Sequence, residues 1–396
     1  MAKTKLALAL FIISLAYSCL LKPPVVLQYG GVLESDYIDT VNVELRNRLI
    51  IVPVTIKGKS YRFLFDTGAP FSISREIQDE FDFKLISKGN IIDSDNNREK
   101  VDYVSVGNTI IGKTEFIDQT AFVADFKANA VLNCFEIDGI VGSNLIRHAD
   151  WLIDMSNKQI LFGSDLNEFF QVMEGEQTFN TDFQYDIELD LQLGSDVFKK
   201  IKLDYGSNGG LDLPRIQFQS LENHHLIHQG YEIIGEKQTG LLGEVVQSER
   251  KLSISDSLLL GDLQVNDIEV QIGGNDVIGT QALEKLVVGI NFNEKKIHFS
   301  PSLDYDKPFR TYGFYSGHSD EKEVYVLAVF KGTAADSIGL NGGMQIMKAN
   351  QLDFENGSNF CDYVDLLGKA PDSLILEVVD DSLERRKVVL SYSILE

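Results

Sequence analysis

Two aspartates, each followed at the second position by a glycine, are the residues of this sequence best suited to chemistry. Asp66 stands in the stretch FLFDTGAPF, and Asp204 stands in IKLDYGS. An unpaired carboxylate inside an apolar strand is costly to bury and is normally avoided, and an active site that holds the carboxylate for chemistry is one exception. The alternative is a strand that ends in an Asp-Thr-Gly turn. The first stretch alone fits both interpretations, and the rest of the chain decides between them.

The two motifs belong to an internal repeat. Each aspartate is followed by a segment of two apolar residues and a glycine, which ends at Gly142 in the first half and at Gly279 in the second. Gly142 follows Asp66 by 76 residues, and Gly279 follows Asp204 by 75. Beyond each glycine the match continues without a gap into a predicted β-hairpin, WLIDMSNKQILF or VGINFNEKKIHF. Residues 43 to about 300 therefore form one β-rich unit written twice.

A duplicated lobe with an aspartate at the same place in each half brings two carboxyl groups together on an approximate twofold axis. Like charges at hydrogen-bond distance cannot both ionise easily, so the pair shares one proton. The ionised carboxylate can then take a proton from water while the protonated one polarises a carbonyl group. Gly68 and Gly206 let the backbone turn tightly beside the carboxyl groups. We expect no metal and no cofactor, because this chemistry needs neither.

Residues 66–69, DTGA, together with residues 140–142, IVG, resemble the motifs of the aspartic peptidases, and most closely those of the retropepsin-like sequences. The resemblance covers residues 43 to about 300 and implies a single-chain enzyme with two lobes. It implies that Asp66 and Asp204 are the catalytic pair and that the substrates are proteins or peptides. A pairing of two chains through their first lobes is a further possibility, although each chain already carries a second lobe.

The second lobe departs from the family at the residue after the aspartate. The resemblance implies a hydroxyl at that place, which bonds across to the opposite lobe. Thr67 fits this pattern, but the hydroxyl of Tyr205 lies far out on its ring and cannot make the same short bond. Two interpretations therefore stay open: an active peptidase, and a catalytically impaired relative that binds its substrate.

Two further expectations concern the site. The hydroxyl of Ser207 is expected to donate a hydrogen bond toward Asp204 and to favour its ionised form, whereas Ala69 at the matching place cannot. This asymmetry predicts that Asp66 carries the proton. The family closes a hairpin flap over its substrate, and the candidates are residues 92–100 with Tyr103 in the first lobe and residues 240–243 in the second. Ordinary mobile loops are the alternative.

The elements that must position these residues are mainly strands. We predict a mainly β protein with two pseudo-symmetric aspartic-peptidase lobes, 43–170 and 171–305, followed by a small PDZ-like α+β domain, 306–396. Helical patterning is sparse and favours helices near residues 74–81 and 214–225.

The C-terminal segment resembles a PDZ domain, with a strand, a small-residue helical turn and a Gly-Gly turn between residues 325 and 354. The resemblance implies a carboxylate-binding loop at Tyr312, Gly313 and Phe314 that receives peptide C-termini, and a groove-lining helix at 358–367. A small β domain that only packs on the peptidase is the alternative.

The N-terminus predicts export. Residues 1–18 have the charged start and short apolar run of a signal peptide. The small residues before Cys19 resemble a bacterial lipoprotein box, so Cys19 is the predicted lipidation site, 19–42 a linker, and the location the cell envelope. Simple secretion is the alternative. Membrane contact is then expected only through the lipid.

Composition and the remaining cysteines set further limits. The formal net charge of −23 argues against a nucleic-acid partner, because phosphates would be repelled. Cys134 and Cys361 lie in different predicted domains, and we expect two buried thiols rather than a disulfide. His224 and His228 have a spacing that can bind zinc on a helix, but no further ligands accompany them and we expect a surface helix.

Overall fold

The computed structural model describes residues 25–92, 98–228, 230–238, 245–247, 250–273, 275–380 and 382–395. Within these residues the chain is mainly β-strand, which confirms the prediction of a mainly β protein. The predicted signal peptide, Cys19 and the second-lobe flap candidate at 240–243 lie outside the described residues. No helix in the described part has both the length and the apolar character needed to cross a bilayer.

The first lobe is built on one large sheet around a core of buried aliphatic and aromatic side chains. Ser74 caps the N-terminus of the helix predicted at this place: its side chain accepts a hydrogen bond from the N–H of Ile77. The strands of this sheet are Gly31–Val32, Glu44–Arg46, Leu49–Ile56, Lys59–Phe65, Ser72–Ser74, Lys84–Ile92, Arg98–Ile111, Thr114–Ala124 and Gly139–Val141. The helices are Val25–Gln28 and Phe126–Ala128, both 3-10, and Arg75–Phe81, Ala130–Cys134 and Ser143–Ile146.

The second lobe repeats this plan with shorter strands. The helix Arg215–Asn223 confirms the one predicted near residues 214–225. The strands are Asn180–Thr181, Ile187–Leu193, Asp196–Leu203, Leu211–Leu213, Tyr231–Gln238, Val245–Gln247, Arg250–Ser255, Leu258–Leu260, Leu263–Val265, Ile268–Ile272 and Val277–Ile278. The helices are Arg215–Asn223 and Thr280–Leu283, and the short helix Asn167–Phe170 ends the first lobe.

A separate sheet joins the two lobes. Its strands, in spatial order, are Gly175–Thr178, Lys296–Pro301, Leu286–Asn291, Asp150–Asp154, Gln159–Gly163 and Ile38–Asn42. The two predicted hairpins form its centre, where Leu152 lies directly opposite Gly289. These two residues are 137 apart, as are Gly142 and Gly279. Equivalent residues of the repeat therefore face one another, and the approximate twofold axis passes between them.

Part of the segment predicted as a linker is paired with the first lobe. Residues 38–42 form an edge strand of the joining sheet, and residues 31–32 pair with residues 116–117. The pairing satisfies backbone N–H and C=O groups along sheet edges that would otherwise stay open. The linker expectation is therefore corrected for these residues.

Two contacts between the lobes lie at places related by the approximate twofold axis, but they are of different chemical kinds. Arg48 of the first lobe bonds Glu284 of the second, with 2.9 Å between Nε and Oε1. At the equivalent places, again 137 residues away, the guanidinium of Arg147 lies 4.2 Å from the ring centroid of Tyr185. An ion pair on one side of the axis thus corresponds to a cation–π contact on the other.

The C-terminal module, residues 306–395, continues the sheet of the second lobe. Residues 233–235 pair antiparallel with residues 328–330. The strands of the module are Arg310–Thr311, Phe314–Gly317, Tyr325–Phe330, Gln345–Ala349, Leu352–Asp353, Ser373–Val379, Arg385–Ser391 and Ser393–Ile394, and its helices are Ala334–Ser337 and Phe360–Gly368.

The module is also joined to the first lobe, through a disulfide that the sequence analysis did not expect. Cys134 and Cys361 are bonded, with their Cα atoms 5.0 Å apart, so the prediction of two free thiols is wrong. Their helices pack together, and Arg46 binds Asp365 at 2.7 Å on the same helix of the module. The two cysteines are 227 residues apart in sequence, and only this packing brings them together.

Candidate active site

Both aspartates stand at the end of a strand that is held by the apolar-apolar-Gly segment of its own lobe. The strand before Asp66 runs parallel to Gly139–Val141, and the N–H of Asp66 donates to the carbonyl of Val141 at 3.0 Å. The N–H of Asp204 donates in the same way to the carbonyl of Ile278, also at 3.0 Å. The repeat therefore places the two carboxyl groups by the same backbone device.

The glycine after each aspartate is required by the approach of the other lobe. The N–H of Gly68 donates to Asp66 at 2.8 Å, and the N–H of Gly206 donates to Asp204 at 2.7 Å. A Cβ atom on Gly68 would lie 2.7 Å from Cγ of Asp204, and one on Gly206 would overlap the carboxyl group of Asp66. Each carboxyl group thus lies over the loop of the opposite lobe, and the structure brings the pair together.

Gly142 and Gly279 lie directly beneath the two loops. A Cβ atom on Gly142 would overlap the backbone of Pro70, and one on Gly279 would lie 2.7 Å from the carbonyl oxygen of Ser207. The N–H that follows each glycine donates, at 2.8 Å, to the carbonyl of Ala69 or Ser207. Both glycines therefore allow a close backbone contact that fixes the loop carrying the aspartate.

Thr67 bridges the lobes, and Tyr205 does not displace the second loop. The hydroxyl of Thr67 donates to the carbonyl of Leu203 at 2.6 Å and accepts from the N–H of Tyr205 at 3.1 Å. Both bonds are made with the backbone of the second lobe, and Tyr205 takes part only through its N–H. Its ring is fully buried and packs edge-to-face on Phe65 at 5.8 Å between centroids. One of the two bridging hydroxyls is therefore sufficient to hold this geometry.

The two carboxyl groups differ in their environment. Burial, and then the charge of Asp204, raise the pKa of Asp66 well above its usual range. Burial also raises the pKa of Asp204, but the N–H of Gly206, a hydrogen bond from Asp66 and the charge of Lys202 oppose this shift. We infer that the shared proton lies on Asp66 and that Asp204 is the ionised member.

The hydrogen bond from Ser207 to Asp204 differs from the one that was expected. The hydroxyl of Ser207 was predicted to stabilise Asp204, but the donor from this residue is its backbone N–H. The hydroxyl lies instead against Gly279, where a Cβ atom would be 2.9 Å from it. A backbone donor does not depend on the residue type, so the difference between Ser207 and Ala69 does not account for the asymmetry.

A charged pair that was not predicted from the sequence lies next to the site. Lys202 lies two residues before Asp204, and its Nζ is 2.6 Å from the buried carboxylate of Asp186. The available signal was a difference between the halves of the repeat, because IKLD has a lysine where FLFD has an apolar residue.

The first-lobe flap candidate is the end of a long hairpin made by residues 84–92 and 98–111. Its tip, residues 93–97, lies outside the described residues. Tyr103 is buried against Phe122, with 6.4 Å between ring centroids, and against Gly89. In this structure Tyr103 therefore packs within the sheet of the first lobe.

The predicted carboxylate-binding loop adopts a tight turn. Gly313 has a φ of 82°, and a Cβ atom there would lie 2.5 Å from the hydroxyl of Thr333. The N–H of Gly313 donates to Thr311 within the loop. The N–H of Phe330 donates to the carbonyl of Gly313, which leaves the N–H of Phe314 directed to the other side of its strand. Tyr312 anchors the loop through its hydroxyl, which donates to the carbonyl of Pro371 at 2.5 Å.

The described residues hold no cluster of three or more potential metal ligands. The two histidines with zinc-like spacing have separate partners. His224 contacts Asp196 at 2.7 Å, and His228 contacts Asp256 at 2.8 Å.

Comparison with known protein families gives a match within the first lobe. Residues 52–145 match the family model described as aspartyl protease. The match includes Asp66, its Thr-Gly neighbours and the glycine segment that packs beneath them. It supports a protease-like function, that of a peptidase-type hydrolase, for the chain. No curated protein matches the chain with significance.

Proposed function

We propose that this chain is an aspartic endopeptidase whose catalytic pair is Asp66 and Asp204. The observation that carries the proposal is the contact of the two carboxyl groups, each of which lies over the glycine of the opposite loop. Two carboxyl groups so arranged share one proton, which is the state that peptide hydrolysis by this chemistry needs. The family match over residues 52–145 supports the same reaction class.

In the proposed reaction, the ionised Asp204 takes a proton from a water molecule held between the two carboxyl groups. The resulting hydroxide attacks the carbonyl carbon of the peptide bond, while the proton of Asp66 is donated to the carbonyl oxygen. The tetrahedral intermediate, a gem-diol, then collapses: one of its hydroxyl protons returns to Asp66, the C–N bond breaks, and the proton held by Asp204 passes to the leaving nitrogen. The N–H groups of Gly68 and Gly206 keep both carboxyl groups in place throughout.

We also propose that the protein is exported and lipid-anchored through Cys19 in a bacterial cell envelope. The disulfide between Cys134 and Cys361 supports export, because such bonds persist in oxidising compartments. The C-terminal module would bind peptide C-termini in the manner of a PDZ domain. The outward N–H of Phe314 supports this proposal, because an added peptide strand needs a backbone donor.

A digest of casein at several pH values tests the enzymatic proposal. Wild-type protein, Asp66→Asn and Asp204→Asn are compared, with near-ultraviolet circular dichroism as the check that each protein is folded. We expect cleavage by the wild type and a loss of at least about 1,000-fold in both variants, because neither alone can supply an acid and a base. Peptide binding without cleavage by the wild type would support the competing hypothesis, a peptide-binding envelope protein on the same fold.

A further inference from the structure

An ion pair lies beside the second aspartate. Lys202 is on the strand Asp196–Leu203, which leads directly into Asp204. Its Nζ lies 2.6 Å from Asp186, whose side chain is 1% exposed, and 3.8 Å from Asp182. Alternate side chains along a strand project to the same face, so Lys202 and Asp204 are on one side of the chain. The ion pair is therefore close to the dyad, with the carboxylate of Asp186 buried and the side chain of Lys202 34% exposed.

The first lobe fills the same two places with leucines. Leu64 stands two residues before Asp66, as Lys202 stands before Asp204, and Leu49 is the counterpart of Asp186, 137 residues away. Leu49 and Leu64 are only 6% and 4% exposed. The fold of a lobe is thus compatible with two apolar side chains at these positions. Replacing an ion pair with a buried carboxylate by apolar side chains is often neutral or stabilising, so the fold of the lobe does not by itself require these charges.

The loop that carries Asp186 is fixed to both lobes. The carboxylate of Asp182 accepts from the N–H of Gln184 at 2.8 Å and from the N–H of Asp186 at 3.0 Å. The hydroxyl of Ser143, the residue after Gly142, donates to the carbonyl of Gln184 at 2.7 Å. The ion pair therefore has a defined position relative to both halves of the dyad.

We propose that the Lys202–Asp186 ion pair is a positioning element of the dyad, which keeps Asp204 ionised and the shared proton on Asp66. The proposal rests on the proposed function, because it concerns the same two carboxyl groups. The ion pair makes the two lobes of the duplicated site different. Two identical lobes would give the shared proton no preferred position.

Electrostatics give the sign of the effect. The positive charge of Lys202 lowers the pKa of Asp204, and the negative charge of Asp186 raises the pKa of Asp66. Repulsion between Asp186 and Asp204 opposes the first of these effects in part. Asp186 itself has a pKa raised to about 6, chiefly by burial. Among the described residues, the other charged groups around the pair include Asp182 in the same loop and Glu188, which lies opposite Lys202 on the paired strand. They also include Arg147 over Tyr185, Asp276 beside the backbone of Lys202, and Asp154 near Tyr205.

The double variant Asp186→Leu with Lys202→Leu tests the proposal, because it reproduces the pair found in the first lobe. In a pH–rate profile we expect both limbs to move inward, each by about one pH unit. The acidic limb rises since Asp204 loses the attraction of Lys202, and the alkaline limb falls since Asp66 loses the repulsion of Asp186. Lys202→Leu alone should move the acidic limb, and Lys202→Arg, which keeps the charge, should retain the wild-type profile.

A direct titration separates this proposal from the enzymatic one. The full chain is labelled with 13C at the aspartate carboxyl carbon, and the two signals are assigned by their loss in Asp66→Asn and Asp204→Asn. If the wild type cleaves no peptide but the two midpoints converge in the double variant, the role of the ion pair holds and the proposed function fails. Unchanged midpoints in a folded double variant overturn the proposal. If the double variant does not fold, equal midpoints in Lys202→Leu and Lys202→Arg overturn it.

Discussion

At the scale of single residues, the site depends on glycines, which have no side chain, as much as on the two aspartates. Gly68 and Gly206 leave room for the carboxyl group of the opposite lobe, so neither position accepts a Cβ atom without displacing an aspartate. Tyr205, in contrast, contributes a large side chain. Its hydroxyl is buried without a hydrogen-bond partner in the described part of the chain, while its ring fills space beneath the dyad. The residue thus contributes packing where a second bridging hydroxyl was expected.

The first prediction concerns Gly206→Ala. The added methyl group would overlap the carboxyl group of Asp66 and push the two aspartates apart. We expect peptide cleavage to fall by about 100-fold or more, because a displacement of about 1 Å from a site has that effect. Gly209→Ala is the matched control three residues on, where a Cβ atom would meet only the flexible end of Gln271, at 3.3 Å. Equal activity of the two variants would contradict the crossed arrangement.

At the scale of elements, the C-terminal module is held by both lobes in different ways. The strand Tyr325–Phe330 extends the sheet of the second lobe, and the helix Phe360–Gly368 is bonded to the first lobe by a disulfide and an ion pair. A disulfide that closes a loop of 227 residues removes much conformational freedom from the unfolded chain. The module is therefore an integral part of the structure and links the two lobes.

The second prediction tests this attachment with the double variant Cys134→Ala and Cys361→Ala. We expect the unfolding free energy to fall by about 2–5 kcal/mol, because the unfolded chain regains its freedom. Urea unfolding gives this value, and limited proteolysis should cut the module from the double variant sooner than from the wild type. A thiol reductant should convert the wild-type digestion pattern into that of the variant and leave the variant unchanged. Identical patterns without reductant would show that the disulfide adds no stability.

At the scale of the whole molecule, one buried carboxyl group lies where three parts of the chain meet. Glu269 of the second lobe is close to Arg48 of the first lobe and to Arg250 of its own. The guanidinium of Arg250 lies 5.3 Å from the ring centroid of Tyr315 in the C-terminal module. Burial, partly opposed by Arg48, raises the pKa of Glu269 to about 7. Its ionisation is therefore linked to the stability of the assembled molecule.

The third prediction follows from the sign of this shift. A carboxyl group whose pKa is raised on folding holds its proton in the folded state at pH values where the unfolded chain has lost it. The unfolding free energy should therefore fall as pH rises from about 4 to about 7, by up to about 1.4 kcal/mol per pH unit from Glu269 alone. His148, whose pKa burial lowers to about 4, acts in the opposite direction up to about pH 6.5.

The variant Glu269→Gln isolates this contribution, because it leaves His148 in place. Urea unfolding of both proteins between pH 5 and 8 should give a smaller decline for the variant, and a constant difference above the pKa of about 7. A decline equal to that of the wild type would mean that Glu269 does not hold its proton in the folded state.

The sequence by itself determined the repeat, the mainly β fold and the identity of the two aspartates, because local periodicity and equal spacing are visible along the chain. It also predicted the two hairpins and the helices at Arg75–Phe81 and Arg215–Asn223, whose signals are local. The site residues that support these aspartates, such as Gly142 and Gly279, followed from the same repeat.

Only the tertiary structure decided which distant groups meet. Three contacts join segments far apart in sequence or depend on burial. They are the disulfide between Cys134 and Cys361, the hydrogen bond that the N–H of Tyr205 donates to Thr67, and the ion pair of Lys202 with Asp186. Spacing along a chain carries no record of such contacts, because they follow from how folded lobes and modules pack. The physical cause of the inferred proton on Asp66 belongs to this second group, since burial and neighbouring charges raise the pKa of Asp66.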